Sequence, residues 1–194
     1  MFKFSQRELY DLGLAWLAIT VAFSILYIRQ LTLSLASVLL LFFITAFTAG
    51  IAFLFHELAH KFVANKYGFV AEFFADKKQL LFMIVISLFG IVFAAPGAVW
   101  IQGNITRRKN GIISMAGPLT NLVLAILFLV PTFFVEGIFG FIGSVGFRIN
   151  AWLGLFNMIP FAMFDGAKIW NWNKFVWFAL TILLLVFTVM SFLI

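Results

Sequence analysis

Two histidines, the chain's full complement, stand four residues apart at His56 and His60, and Glu57 follows the first. On a helix, residues i and i+4 share a face, so both imidazoles can offer a nitrogen to one ion. Glu57 lies about 100° round the helix from His56, close to that ion without having to ligate it. This arrangement suits a zinc-activated water with a carboxylate base beside it. Catalytic zinc keeps three protein ligands and one open position. With no third histidine and no cysteine, the third ligand is expected to be a carboxylate. Glu136 falls near the opposite membrane face from the histidines, and Glu8, Asp11, Glu72 and Asp76 sit in polar flanks where solvation explains them. Asp165 differs. It ends an apolar run in "LGLFNMIPFAMFDGAKIW", after Pro160, which removes a backbone donor, and before Gly166, which permits unusual dihedrals. Irregular backbone at membrane depth is tolerated where it is buried in protein or lines a watery cavity. The plain alternative makes Asp165 a cap of the short 168–174 segment.

Membrane helices have to position these groups. Hydrophobic residues make up 64% of the chain and charged residues 10%, against roughly 25% charged in soluble globular proteins. The expected class is an all-α polytopic membrane protein in one unit, 1–194, with five to six transmembrane segments. The lack of cysteine excludes disulfides and thiolate ligands. A net charge of +6 would suggest nucleic acid in a soluble protein. Here it is read as basic loops on the cytoplasmic side of the lipid bilayer, with no nucleic-acid partner. Charge-free runs cover Leu12–Ile28, Leu31–Phe55, Gln79–Thr106, Gly111–Val135, Ile149–Phe164 and Phe175–Ile194. The second is expected to continue as one helix through the histidines to about Tyr67 and to stop at Gly68.

Lysine and arginine orient these runs. Lys3 and Arg7 place the N-terminus inside, and two crossings later Lys61, Lys66, Lys77 and Lys78 are inside too. Arg107, Arg108 and Lys109 then lie outside if 80–96 crosses once, and inside if it enters and returns. Re-entry also brings Lys168 and Lys174 inside, leaving Arg29 and Arg148 outside. Metal geometry asks for the same: His60 and Asp165 share a leaflet only if an even number of crossings separates them. Five full spans with a re-entrant or β-hairpin segment at 80–104 is the preferred topology, and six plain spans the alternative. "FAAPGAVWIQGN", 93–104, has β-prone Val99, Trp100 and Ile101 between glycines. It is read as a strand edge able to capture an unwound substrate, or as an ordinary loop.

Together these residues resemble the site-2 protease family of intramembrane zinc metalloproteases. That family's pattern is His-Glu-x-x-His on one transmembrane helix and Asn-x-x-Pro-x-x-x-x-Asp-Gly on a later one; here they read "HELAH" at 56–60 and "NMIPFAMFDG" at 157–166. The family's Gly-Pro-x-x-Asn reads "GPLTN" at 117–121. The resemblance covers about residues 50 to 170. It implies His56, His60 and Asp165 as zinc ligands, Glu57 as catalytic base, and core helices at 31–67, 112–135 and 149–166, within a catalytic core of about 31–170. Members commonly carry a PDZ or CBS domain, for which this chain has no room.

From the residues themselves, Asn157 is a candidate donor to an oxyanion or a substrate backbone. Asn121 either holds a substrate strand or bonds between helices, and Gly117 and Pro118 permit close packing. The expected activity is hydrolysis of peptide bonds in transmembrane substrates near the cytoplasmic face. The rival reading is a membrane metal-binding or metal-transport protein using the same ligands.

Overall fold

A computed structural model of the chain describes residues 3–28, 34–92, 96–161 and 163–194. Among the described residues, five helical stretches are long and apolar enough to cross a membrane. The first is α1 (Gln6–Ile28). The second joins α2 (Leu35–Thr45) to α3 (Ile51–Lys66) through a π-helical turn at Ala46–Gly50. The others are α5 (Arg107–Phe134), α6 (Gly137–Asn157) and α8 (Lys174–Ser191). At 1.5 Å per residue the shortest is about 27 Å, enough for a hydrocarbon core of about 30 Å when its flanks are counted. Helices α4 (Lys77–Ser87) and α7 (Asp165–Trp172) are far too short to span.

Between α3 and α5 lie two paired strands. β1 (Val70–Ala75) runs antiparallel to β2 (Gly97–Gln102), with Val70 opposite Gln102 and Ala75 opposite Gly97. The Asp76 amide donates to the Pro96 carbonyl at 3.0 Å. Residues 76 and 96 therefore lie side by side, and α4, between them in sequence, packs Leu80 and Met83 into the main core. Six plain spans are thereby corrected to five, because an 11-residue helix reaches only about 16 Å. The expected strand at 99–101 is the middle of β2; residues 93–95 of that reading, Arg29 and 31–33 lie outside the described residues.

The packing is that of a membrane protein, with large apolar side chains such as Phe43, Phe47 and Phe133 exposed and hydroxyls such as Thr20, Ser24 and Thr45 buried. Ser24 and Thr45 share a 2.6 Å hydrogen bond between α1 and α2, as expected where polar groups must find partners inside lipid. Buried residues of α1, α2, α3, β1, α4 and α6 form the main core. In α6, a Cβ at Gly143 would strike α5 backbone and one at Gly146 the Phe128 ring, so small residues let these two helices close.

Two expectations need physical correction. The span expected to begin at Ile149 begins at Gly137, because Arg148 lies inside α6 rather than in a loop. Its Nε donates to the Ser191 carbonyl at the end of α8, 3.1 Å away, so a charge that looked like a boundary is absorbed by a neighbouring helix end. Glu8 and Asp11 are not solvated flanks but buried groups, 1% and 6% exposed. Glu8 pairs with buried Lys61 of α3 and accepts from the Phe73 amide at 3.1 Å; Asp11 accepts from the Ala75 amide at 3.3 Å.

Candidate metal centre

One turn of α3 presents His56 and His60 to the same side, their rings 4.7 Å apart and nearly perpendicular. The carboxylate of Asp165 meets them from the first residue of α7: its Oδ2 is 3.2 Å from Nε2 of His56 and 3.0 Å from Nε2 of His60. All three are buried, with ligand atoms within 4.8 Å of one another. The even-crossing condition holds, since α5 and α6 are the two spans between them. Asp165 does not cap α7; that place belongs to Phe164, without a side-chain cap bond. Burial opposes ionisation of Asp165, but the facing His60 and His56 and nearby Lys168 outweigh it and hold the carboxyl well below the usual carboxylate range.

The site fits zinc on two grounds. Two imidazole nitrogens and one carboxylate oxygen are an established catalytic donor set, and bonds of about 2.0–2.2 Å at tetrahedral angles separate ligand atoms by about 3.4 Å, close to the spacing here. Room is also kept. A Cβ at Gly117, on α5, would run into Nε2 of both histidines. Glycine at 117 therefore serves the centre itself as well as packing, and the contact joins "GPLTN" to "HELAH" in space.

Backbone and amide groups hold the outer ring nitrogens. His60 Nδ1 lies 2.8 Å from the Ile113 carbonyl. His56 Nδ1 lies 2.6 Å from Oδ1 of Asn121. Such partners orient a ligating imidazole and select its tautomer. The Asn121 side chain is wholly buried, and its amide nitrogen faces Oδ1 of Asn150 at 3.1 Å and the Ala52 carbonyl at 3.4 Å. Asn150, fully buried on α6, went unremarked in the sequence because it lies outside the three motifs. Asn157 donates to the Leu153 carbonyl at 2.9 Å, and its side chain borders the cavities described next.

Asp165 reaches the histidines across a non-helical passage. The Met158 carbonyl accepts from the Trp177 indole at 2.8 Å, and a Cβ at Gly166 would overlap that same carbonyl. Trp170 meets Trp177 edge-on at 4.9 Å. These two tryptophans lock α7 and α8 to the chain before Asp165.

Two cavities of about 690 and 440 Å³ meet at the centre, and His56, Glu57, Asn157 and β2 residues Gly97, Ala98 and Trp100 border both. The sheet's edges differ. On β1 the outward amides of Phe73 and Ala75 are taken by Glu8 and Asp11. In this register the outward groups of β2 belong to Gly97, Val99 and Ile101, opposite Ala75, Phe73 and Ala71. Among the described residues no strand pairs with that edge.

Comparison with known proteins places these features among relatives. A protein of Methanocaldococcus jannaschii provisionally named zinc metalloprotease MJ0611 is 42% identical over 181 residues, covering 91% of this chain and 90% of that protein. A Bacillus subtilis protein provisionally named zinc metalloprotease YwhC is 31% identical over 145 residues, 63% of this chain and 65% of that one. No family model and no solved structure matches.

Proposed function

We propose that this chain, which belongs to the zinc metalloprotease family of these two relatives, cleaves peptide bonds within or near transmembrane segments of other membrane proteins, in the manner of site-2 proteases. The observation that carries the proposal is the meeting of His56, His60 and Asp165 beside Glu57 at the junction of two cavities, in a chain with five membrane-crossing helices. A metal transporter needs the ligands but has no use for a buried carboxylate set beside them.

His56, His60 and Asp165 would hold the zinc, which when bound supplies Lewis acidity for the scissile carbonyl and the attacking water. Glu57 takes a proton from that water as its oxygen bonds to the carbonyl carbon. It returns the proton to the departing amine nitrogen as the C–N bond breaks. Asn157 borders both cavities; one N–H of its amide goes to the Leu153 carbonyl, and the other would donate to substrate backbone. A helical substrate shields its carbonyls and must first unwind. The open edge of β2 offers main-chain groups at Gly97, Val99 and Ile101 to such an extended segment, while the closed edge of β1 cannot compete. The basic residues at the ends of α3 and α5 support a cytoplasmic position for the centre.

The test is Glu57→Gln in reconstituted vesicles containing a single-span substrate. Retained zinc with cleavage reduced by about 10²–10⁴-fold is expected for loss of a general base. Unchanged cleavage would refute the assignment.

A further inference from the structure

The two zinc-facing histidines are oriented by different means, and the difference assigns a role to Asn150. His60 Nδ1 faces a main-chain carbonyl, that of Ile113, which can only accept. Its Nδ1 therefore carries the hydrogen, leaving Nε2 free to ligate. His56 Nδ1 faces the side-chain amide of Asn121, which accepts through one end and donates through the other. Turned over, that amide would present NH₂ to Nδ1, favour hydrogen on Nε2, and oppose ligation.

We propose that Asn150 is a positioning residue that fixes the Asn121 amide, and through it the ligating tautomer of His56. The order of bonds is set from a carbonyl. Asn150 Nδ2 donates to the Gly146 carbonyl at 2.9 Å, so its Oδ1 faces Asn121. Asn121 must then turn its NH₂ to Asn150, 3.1 Å away, and its Oδ1 to His56, 2.6 Å away. Three helices, α6, α5 and α3, are linked by this relay, and Asn121 and Asn150 are fully buried, so water does not compensate a wrong orientation. The Ala52 carbonyl also accepts from Asn121, but at 3.4 Å, and it lies where the His56 amide completes its own helical bond. The relay rests on the zinc reading of the site, which zinc binding by the unaltered protein tests separately.

The experiment is a double-mutant cycle read as zinc affinity of detergent-solubilised protein by competition with a chelator. Asn150→Leu keeps the branched shape and removes the acceptor; Asn150→Ala is the second variant should leucine not fold. Loss of an outer-shell partner of this kind lowers metal affinity about 10-fold or more, and that loss is expected here. Asn121→Asp presents an oxygen to His56 whichever way it turns. In that background the Asn150 substitution is expected to cost less than about twofold, a non-additivity that general loosening of the core does not produce. Zinc affinity unchanged in the Asn150 variants, or an equal loss with and without Asn121→Asp, would overturn the proposal.

Discussion

The two sides of the centre are built in opposite ways. His56 and His60 stand on one uninterrupted helix, α3, so their mutual placement follows from helical pitch alone. Asp165 arrives on a new helix after α6 ends at Asn157, and it is aimed by contacts made elsewhere: the Trp177 indole on the Met158 carbonyl and the close approach of Gly166 to that carbonyl. A ligand pair on a helix keeps its spacing when its surroundings loosen, although the tautomer of His56 still depends on Asn121. A ligand at the end of an irregular passage depends on each contact that shapes the passage.

Perturbations that act on one side and not the other sharpen this contrast. The largest effect is expected where both sides meet. Gly117→Val puts a side chain against Nε2 of both histidines, and zinc affinity measured by chelator competition should fall by more than about 100-fold, the upper end for disturbances just outside the ligands. Near-normal affinity would mean that α5 does not close over the centre.

Next comes Glu8→Gln, which removes the carboxylate charge that pairs with buried Lys61 of α3. Breaking one partner of a buried ion pair costs about 3–5 kcal/mol, to be read as a lowered thermal transition. Zinc affinity of the protein that remains folded should change little, because the helical spacing of the histidines is local. The smallest effect on stability is expected from Trp177→Phe, which removes one hydrogen bond worth about 1 kcal/mol. Zinc affinity should nonetheless fall about fivefold if that full energy is felt by Asp165. Were Glu8→Gln to weaken zinc more than Trp177→Phe, the contrast between the two sides would be wrong.

What could be read beforehand follows the same division. The histidine pair is a local pattern, and the return of the 76–96 segment was legible because Arg107, Arg108 and Lys109 would otherwise face the wrong side. Asp165 stood out as a carboxylate closing an apolar run. Hidden from the sequence was whatever depends on a distant partner. Arg148 read as a loop because a charge in an apolar run resembles a boundary, and only the Ser191 carbonyl explains its place in α6. Glu8 and Asp11 read as solvated because the strand amides they hold are more than sixty residues away. Asn150 had no periodic or motif signal, since its meaning lies in the orientation of another side chain.

The convergence of the two sides is tested most directly by the zinc content of purified protein, unaltered and with Asp165→Ala, alongside cleavage of a reconstituted single-span substrate. One zinc per chain with cleavage is expected for the unaltered protein, and loss of both for the variant. Full zinc and full activity in Asp165→Ala would contradict the meeting of these helices on one ion.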